Sequence, residues 1–459
     1  MFHEPRQGRK NWLAAVLSPL AGLLAPIGSP APRARALGYR LAPLTGLNYP
    51  IPGRPHRFVS TQQPDKPKRR LRWYQFSLRT LVVFVLGASI ALAFVAQKLQ
   101  ELRSQRLAIQ ELENLGLQAF FDYGDAGWPW KLLGDDFRPV ASLLLLGGAV
   151  TDDSLAHVSK LTGLQQLYLH APVTDAGLVH LKGLAGLRDL DLGNTQVSDA
   201  GLAHLRGLIN LQELRLSRTD VSGAGLTHLK GLANLTRVYL GSTQISDSGL
   251  VHLGALSGLE ILDLNSTRVT DAGLVPLRTL SSVEALDLSS TCITDAGLVH
   301  LRGFTALRSL NLAGTQVTDA GLVHLKGLTS LSFLGLEGTH VTGPGLEHIR
   351  ALDNLASLNL GRTEVSDGSL QHLNGMKSLT DLDLSGTRVS AAALLHLKDL
   401  TQLRYVALGS TRLSKARVEE LRTEFPHLLI DYCAPEPKER FPGARQLTPA
   451  GTACPAPRG

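Results

Sequence analysis

The chain has 459 residues, room for two or three ordinary domains, but 5% aromatic against 44% hydrophobic content makes any core aliphatic. Three cysteines with no CxxC pair exclude both a disulfide framework and a zinc ribbon. The net charge of +7 is uneven: residues 1–79 carry 14 Lys/Arg and 2 Asp/Glu, net +12, and the remainder is net −5. A basic leader ahead of a slightly acidic body gives no reason to expect a nucleic-acid partner.

Residues 1–65 are Pro- and Arg-rich and read as a disordered leader. Within them Trp12 to Ile27 follows Arg6, Arg9 and Lys10 and has the look of a signal-peptide core, interrupted by Pro19 and Pro26. Its insertion would carry eleven Lys/Arg of residues 28–79 across a membrane, so a cleaved signal or second span is the lesser alternative. Thr80 to Gln97 is eighteen residues without a charge, lying between Arg79 and Lys98. As a helix it reaches about 27 Å, close to the hydrocarbon thickness of a bilayer. Trp73, Tyr74 and Phe76 sit where aromatic rings prefer the headgroup level. The segment therefore reads as one transmembrane helix, with a buried helix of a globular domain as the alternative. Lys66, Lys68, Arg69, Arg70, Arg72 and Arg79 within the flank 66–79 outnumber Lys98, Arg103 and Arg106 beyond it. The positive-inside rule then puts the N-terminus in the cytoplasm and everything after residue 97 on the exoplasmic (periplasmic) side. Residues 98–149 are expected to hold a charged juxtamembrane helix, over 98–115, and an N-terminal cap. Phe120, Phe121, Trp128, Trp130 and Phe137 would supply the apolar bulk of that cap.

From residue 150 the phrase VTDAGLVHL recurs. It starts at Val150, Val173, Val197, Val221, Ile245, Val269, Ile293, Val317, Val341, Val365, Val389 and Leu413, every 24 residues after a first interval of 23. The Leu190/Leu192 alternation predicts a short strand with one buried face. A Ser or Thr one residue into every unit, such as Ser198, Thr270 and Thr318, predicts a helix N-cap. Asp199, Asp271 and Asp319 follow where the positive helix end favours an anion. Leu202 and Leu205 face the core, and Gly183, Gly207, Gly231, Gly303, Gly327 and Gly375 are expected to end the helices in a left-handed conformation. Thr195, Thr219, Thr243, Thr267, Thr291, Thr315, Thr339, Thr363, Thr387 and Thr411 form a ladder whose hydroxyls can satisfy backbone groups. Such units cannot bury their leucines alone, so twelve of them over 150–432 predict an α/β solenoid. VEELRTEFPHLLIDY would cap its far end, before a disordered Pro-rich tail over 433–459.

The LxxLxLxxT pattern at this period resembles the leucine-rich repeat family, with Thr where commoner versions carry Asn or Cys. The TDAGLxHL segment resembles the cysteine-containing subtype of F-box proteins and their bacterial relatives. The likeness covers roughly residues 140–432. It implies a right-handed horseshoe with a parallel sheet on the concave face, and a scaffold for protein–protein recognition. A transmembrane segment rather than an F-box precedes the repeats, so the adaptor role of F-box proteins does not carry over.

Little suggests catalysis. His157, His180, His204, His228, His252, His300, His324, His348, His372 and His396 share one place in ten units, replaced by Pro276 and Glu420 in two. A metal array is the sharp reading; packed helices about 8–10 Å apart against zinc–nitrogen bonds of about 2.1 Å favour structural or solvent-exposed histidines. Asp199 and His204 lack a nearby nucleophile, and Walker, HExxH and GxSxG motifs are absent. Cys292 reads as a buried small residue, and Cys433 and Cys454 as a possible pair outside the cell. No cofactor, metal or small-molecule substrate is expected. A partner site is expected where outward strand residues are large and varied: Tyr168, Asp189, Asp191, Glu213, Arg215, Arg218, Arg237, Tyr239 and Asp263. Later units offer smaller groups, among them Ala285, Ser309, Gly335 and Ser357. Two rivals remain: a metal-binding or hydrolytic protein using the histidines, and a soluble cytoplasmic adaptor.

Overall fold

Each 24-residue period closes one coil of a solenoid: a short strand, a tight turn, and a helical segment that returns the chain to the next strand. The computed structural model describes residues 78–115, 118–123, 140–147 and 149–432. The leader, Trp73, Tyr74, Phe76, Trp128, Trp130, Phe137, Cys433 and Cys454 lie outside the described residues.

Among the described residues fourteen strands form one sheet in chain order. The expected parallel stacking holds from β2 (Val140–Leu146) onward, with residues one period apart in register, as in Leu190, Leu214, Val238 and Leu262. The exception is β1 (Gln118–Tyr123), which runs antiparallel to β2 and so covers the first edge of the sheet. Behind the sheet the coil that starts at Val197 buries Val197, Leu202, Leu205, Leu208, Leu211, Leu214 and Leu216 completely. At about 1.5–3 kcal/mol per buried aliphatic side chain, stacking coils supplies what a single coil lacks. One continuous core runs from Ala108 to Ile430.

The turns differ from expectation in an instructive way. Of the six glycines expected to be left-handed, only Gly375 has a positive φ (94°). The helical segments instead end on Leu208 (φ −85°, ψ 58°), Leu280 (−82°, 72°), Phe304 (−86°, 65°) and Leu400 (−87°, 74°). This is inverse γ-turn geometry, open to any residue. The left-handed position lies on the other side of the coil, one residue before each ladder threonine. Asn194, Arg218, Ser242, Ser266, Ser290, Gly314, Gly338, Arg362, Gly386 and Ser410 occupy it. The following threonines are buried, and each donates its hydroxyl to the leucine carbonyl three residues back at 2.5–2.7 Å.

The TDAG phrase has a mechanism beyond helix capping. Asp247 accepts from both the Thr270 backbone N–H (2.8 Å) and the Thr270 hydroxyl (2.6 Å) of the next coil. The same two-pronged link joins Asp175 to Ser198, Asp199 to Ser222, Asp271 to Thr294 and Asp295 to Thr318. A Cβ on Gly273 would stand 2.5 Å from Asp247 Oδ1, so the glycine makes room for the carboxylate of the coil before it. Gly223 and Gly343 replace the aspartate in two coils, and after Gly343 the following Ser366 is held by a local capping box with Ser369 instead.

Ahead of the solenoid, α1 (Leu78–Asn114) is one unbroken helix of 37 residues. Its apolar N-terminal part is long and apolar enough to cross a membrane, and none of that window is buried. In the C-terminal part Leu102, Gln105, Ala108 and Leu112 are buried, the second pair within the solenoid core. Glu111 binds His157 and Lys160 (3.1 Å) of the first coil. Phe121 packs partly against the core, whereas Phe120 is 59% exposed. At the far end the helix Lys415–Glu424 buries Val418 and Leu421, and Tyr432 donates to the Leu413 carbonyl at 2.8 Å.

Candidate functional site

The outward strand positions line up as two rows on the sheet. One row reads Gln166, Asp189, Glu213, Arg237, Ile261, Ala285, and the other Tyr168, Asp191, Arg215, Tyr239, Asp263, Asp287. Eight of the nine nominated residues are therefore brought together. Arg218 is not among them: it is the left-handed turn residue (φ 59°), exposed, and its Nη1 reaches Asn194 Oδ1 of the preceding coil at 3.5 Å.

Glu213 organises the patch. It is buried, and each carboxylate oxygen meets a different arginine, Arg215 Nε at 2.6 Å and Arg237 Nε at 2.7 Å. Burial opposes the Arg215 charge, but Glu213 and the hydrogen bond it accepts outweigh that and raise the guanidinium pKa. Arg215 also lies over the Tyr239 ring, 4.7 Å from its centroid, so it is oriented by an ion pair and a cation–π contact together. Burial first, and then the neighbouring carboxylates, push the hydroxyls of Tyr168 and Tyr239 above the ordinary phenol range. Both remain neutral hydrogen-bonding groups on half-buried rings.

Other nominated residues turn inward to hold the backbone. Asp191, also buried, accepts from the Gly193 N–H at 2.8 Å and meets His170 Nε2 at 3.2 Å. Asp263 accepts from the Asn265 N–H at 2.9 Å and from its side-chain amide at 2.6 Å. Asp287, Asn311, Asn359 and Asp383 make the same bond to the N–H two residues on, so this row is a series of Asx turns stabilising the strand exit. Asp189 receives Gln166 Nε2 at 2.7 Å. The nominated side chains that take no part in holding the backbone are thus Tyr168, Arg215 and Tyr239, flanked by Asp189 and Arg237.

Sequence reasoning passed over two aromatic residues further along. Phe333 stands in the row of Arg237, half-buried, and Tyr405 donates to Asp431 Oδ2 at 3.0 Å. The 24-residue register was the signal that would have placed both. Ala285, taken as outward, is 7% exposed because its neighbours close over so small a side chain. Cys292 is half-buried rather than buried. The ten histidines are half-buried in a line on the helical face. Among the described residues no group of three or more His, Cys, Asp or Glu is placed to hold a metal ion.

A leucine-rich repeat family model matches residues 257–317. No curated protein matches the chain. Among solved structures it is similar to an internalin from Listeria monocytogenes, at 20% identity over 60% of this chain and 92% of that one, TM-score 0.42. A leucine-rich repeat protein from Leptospira interrogans matches at 18% identity over 61% and 87%, TM-score 0.37. The ectodomain of a plant membrane receptor kinase from Arabidopsis thaliana, solved with Casparian strip integrity factor 2, matches at 17% identity over 71% and 47%, TM-score 0.41. The fold is that of the leucine-rich repeat proteins, a solenoid whose general use is as a scaffold for protein–protein interaction.

Proposed function

We propose that this chain is a membrane-anchored recognition scaffold without catalytic activity. Thr80 to Gln97 crosses the cytoplasmic membrane, the basic flank stays in the cytoplasm, and the solenoid is displayed on the exoplasmic side. The observation that supports this best is the division of labour within α1. One half leaves Leu81, Val82, Val83, Phe84, Ile90, Leu92 and Phe94 half to three-quarters exposed, and the other half is locked into the first coil. Apolar exposure on that scale is stable only in lipid or against another apolar surface. The anchor is then continuous with the scaffold it carries.

The partner is a protein, and it docks on the early coils of the sheet face, centred on Tyr168, Arg215 and Tyr239. Tyrosine and arginine carry much of the binding energy at protein interfaces, and here both are held in place before binding. The test is a photo-crosslinking residue placed at Tyr239 or at Ser309 in the full chain, expressed in its own membrane. Protein adducts from position 239 and few from 309 are expected. Equal adducts from both, or none from 239, would remove the early-coil patch as the docking site.

A further inference from the structure

The +7 net charge is concentrated in the leader, yet the solenoid carries a cationic line that the bulk figure hides. Two residues after the histidine position of the repeat, which is Pro276 in one coil, stand Lys182, Arg206, Lys230, Arg278, Arg302, Lys326, Arg350 and Lys398, preceded by Ser159 in the first coil and interrupted by Gly254 and Asn374. All eight are exposed on the helical face, and none forms an ion pair with a carboxylate among the described residues. By contrast Arg308, Arg362 and Arg388 pair with Glu284, Glu337 and Glu364.

The line is ordered as well as charged. Arg206 donates from Nε (3.1 Å) and Arg302 from Nη2 (2.8 Å) to the Nδ1 of the histidine in the following coil, His228 and His324. Burial and the Arg206 charge lower the His228 pKa, which keeps that ring neutral and able to accept. Arg350 leans the same way, its Nη2 3.7 Å from where a Cβ on Gly375 would be. Coils are in direct contact here, since a Cβ on Gly303 would collide with the Arg278 carbonyl. The nearest regular acidic row is the capping aspartates, seven residues upstream and tied to the next coil; Glu347, Asp353 and Asp399 are the local exceptions. Seven helical residues are about 10 Å, roughly one Debye length at physiological salt, so the two rows act as separate stripes.

We propose that this line is a docking track for a linear acidic polysaccharide, one anionic group meeting one cation per coil. Charge complementarity over successive coils suits a polymer with a repeating anion. Single-stranded nucleic acid fits less well, because the adjoining rows hold no Phe, Tyr or Trp, and the only aromatic rings there are half-buried histidines, two of them engaged by the arginines of the preceding coil. The lipid surface fits less well on the anchored reading. Glu111, which marks where α1 meets the basic end of the first coil, lies fourteen residues beyond Gln97, about 21 Å along the helix. The competing explanation is that each cation only complements the C-terminal end of its helical segment, a matter of stability rather than binding.

The experiment measures a sized oligogalacturonate binding to the full chain in neutral detergent. The 14 Lys and Arg of residues 1–79 are replaced by glutamine throughout to silence the leader and its flank. In that background Arg278→Gln/Arg302→Gln/Lys326→Gln should bind at least tenfold more weakly. It should also flatten the dependence of log K on log salt by roughly two to three units. Arg308→Gln/Arg362→Gln/Arg388→Gln removes the same charge from paired positions and should bind as the parent does. Equal weakening by both triples would mean bulk charge only. Loss of thermal stability without loss of binding would favour the helix-end explanation. Duplex DNA or phosphatidylglycerol vesicles binding through the ladder while oligogalacturonate does not would assign the track to that other occupant. Each of these three results overturns the proposal.

Discussion

Replacing Asp263 by asparagine should stabilise the solenoid at alkaline pH and leave it unchanged in acid. Asp263 sits half-buried on the sheet, one strand from Asp287 in register. Burial and then the Asp287 charge raise its pKa from 3.8 to about 6, against the opposing effect of its hydrogen bonds from Asn265. Below the unfolded value both states hold the proton and the site favours neither. As pH rises from about 4 to about 6 the unfolded chain ionises first, so stability is lost across that window and stays lower above it. A shift of roughly two units at 1.36 kcal/mol per unit gives a penalty of up to about 3 kcal/mol. Asparagine removes the charge and keeps the turn bond, because Asn311 and Asn359 make it in the same row, to the Ala313 and Gly361 N–H groups. Urea unfolding of parent and variant at a series of pH values between 4 and 8 should show two curves that meet at the acid end and separate upward. A variant that is less stable at pH 8, or a constant difference at every pH, would refute the assignment of the raised pKa to Asp263.

Gly273→Ala should destabilise by about 1–3 kcal/mol through its clash with Asp247. Asp247→Ala alone should cost about 2–4 kcal/mol through two lost charged hydrogen bonds. The double variant should cost less than the sum, and strict additivity in a double-mutant cycle would contradict the contact. Leu264→Asp puts a charge at a position with no solvent exposure and should cost several kcal/mol, checked by thermal unfolding. Arg218→Gly relieves a left-handed non-glycine residue at the position where Gly314, Gly338 and Gly386 occur, and should leave stability unchanged or raise it by about 1 kcal/mol.

Periodicity made the architecture readable in the sequence, because each coil repeats the same burial problem and solves it with the same residues. Leu190, Ser198 and Thr195 declared their strand, cap and ladder roles by position alone. What escaped sequence reasoning depends on contacts one period away. The aspartates cap their own helix in a local reading, yet their hydrogen bonds go to the following coil, and that is why glycine stands at Gly273. Left-handed backbone was expected at the repeat glycines; the turns place it at Arg218 and Ser242, residue types that do not announce it. The candidate patch was legible as residue types but not as exposure. Glu213 and Asp191 look outward along the strand, while arginines and turn N–H groups draw them under cover. The cationic ladder was hidden by arithmetic, since capping aspartates on the same face cancel it in any sum.

The central claim, a scaffold carried outside the membrane by α1, is tested most directly with a reporter at the far end of the chain. A phosphatase that folds only after export, appended after Gly459, should be active and sediment with membranes, resisting alkaline carbonate extraction. A fluorescent protein that matures only in the cytoplasm, at the same place, should stay dark. An inactive phosphatase with a bright fluorescent fusion would reverse the orientation. Release of either fusion into the soluble fraction would contradict the anchor itself.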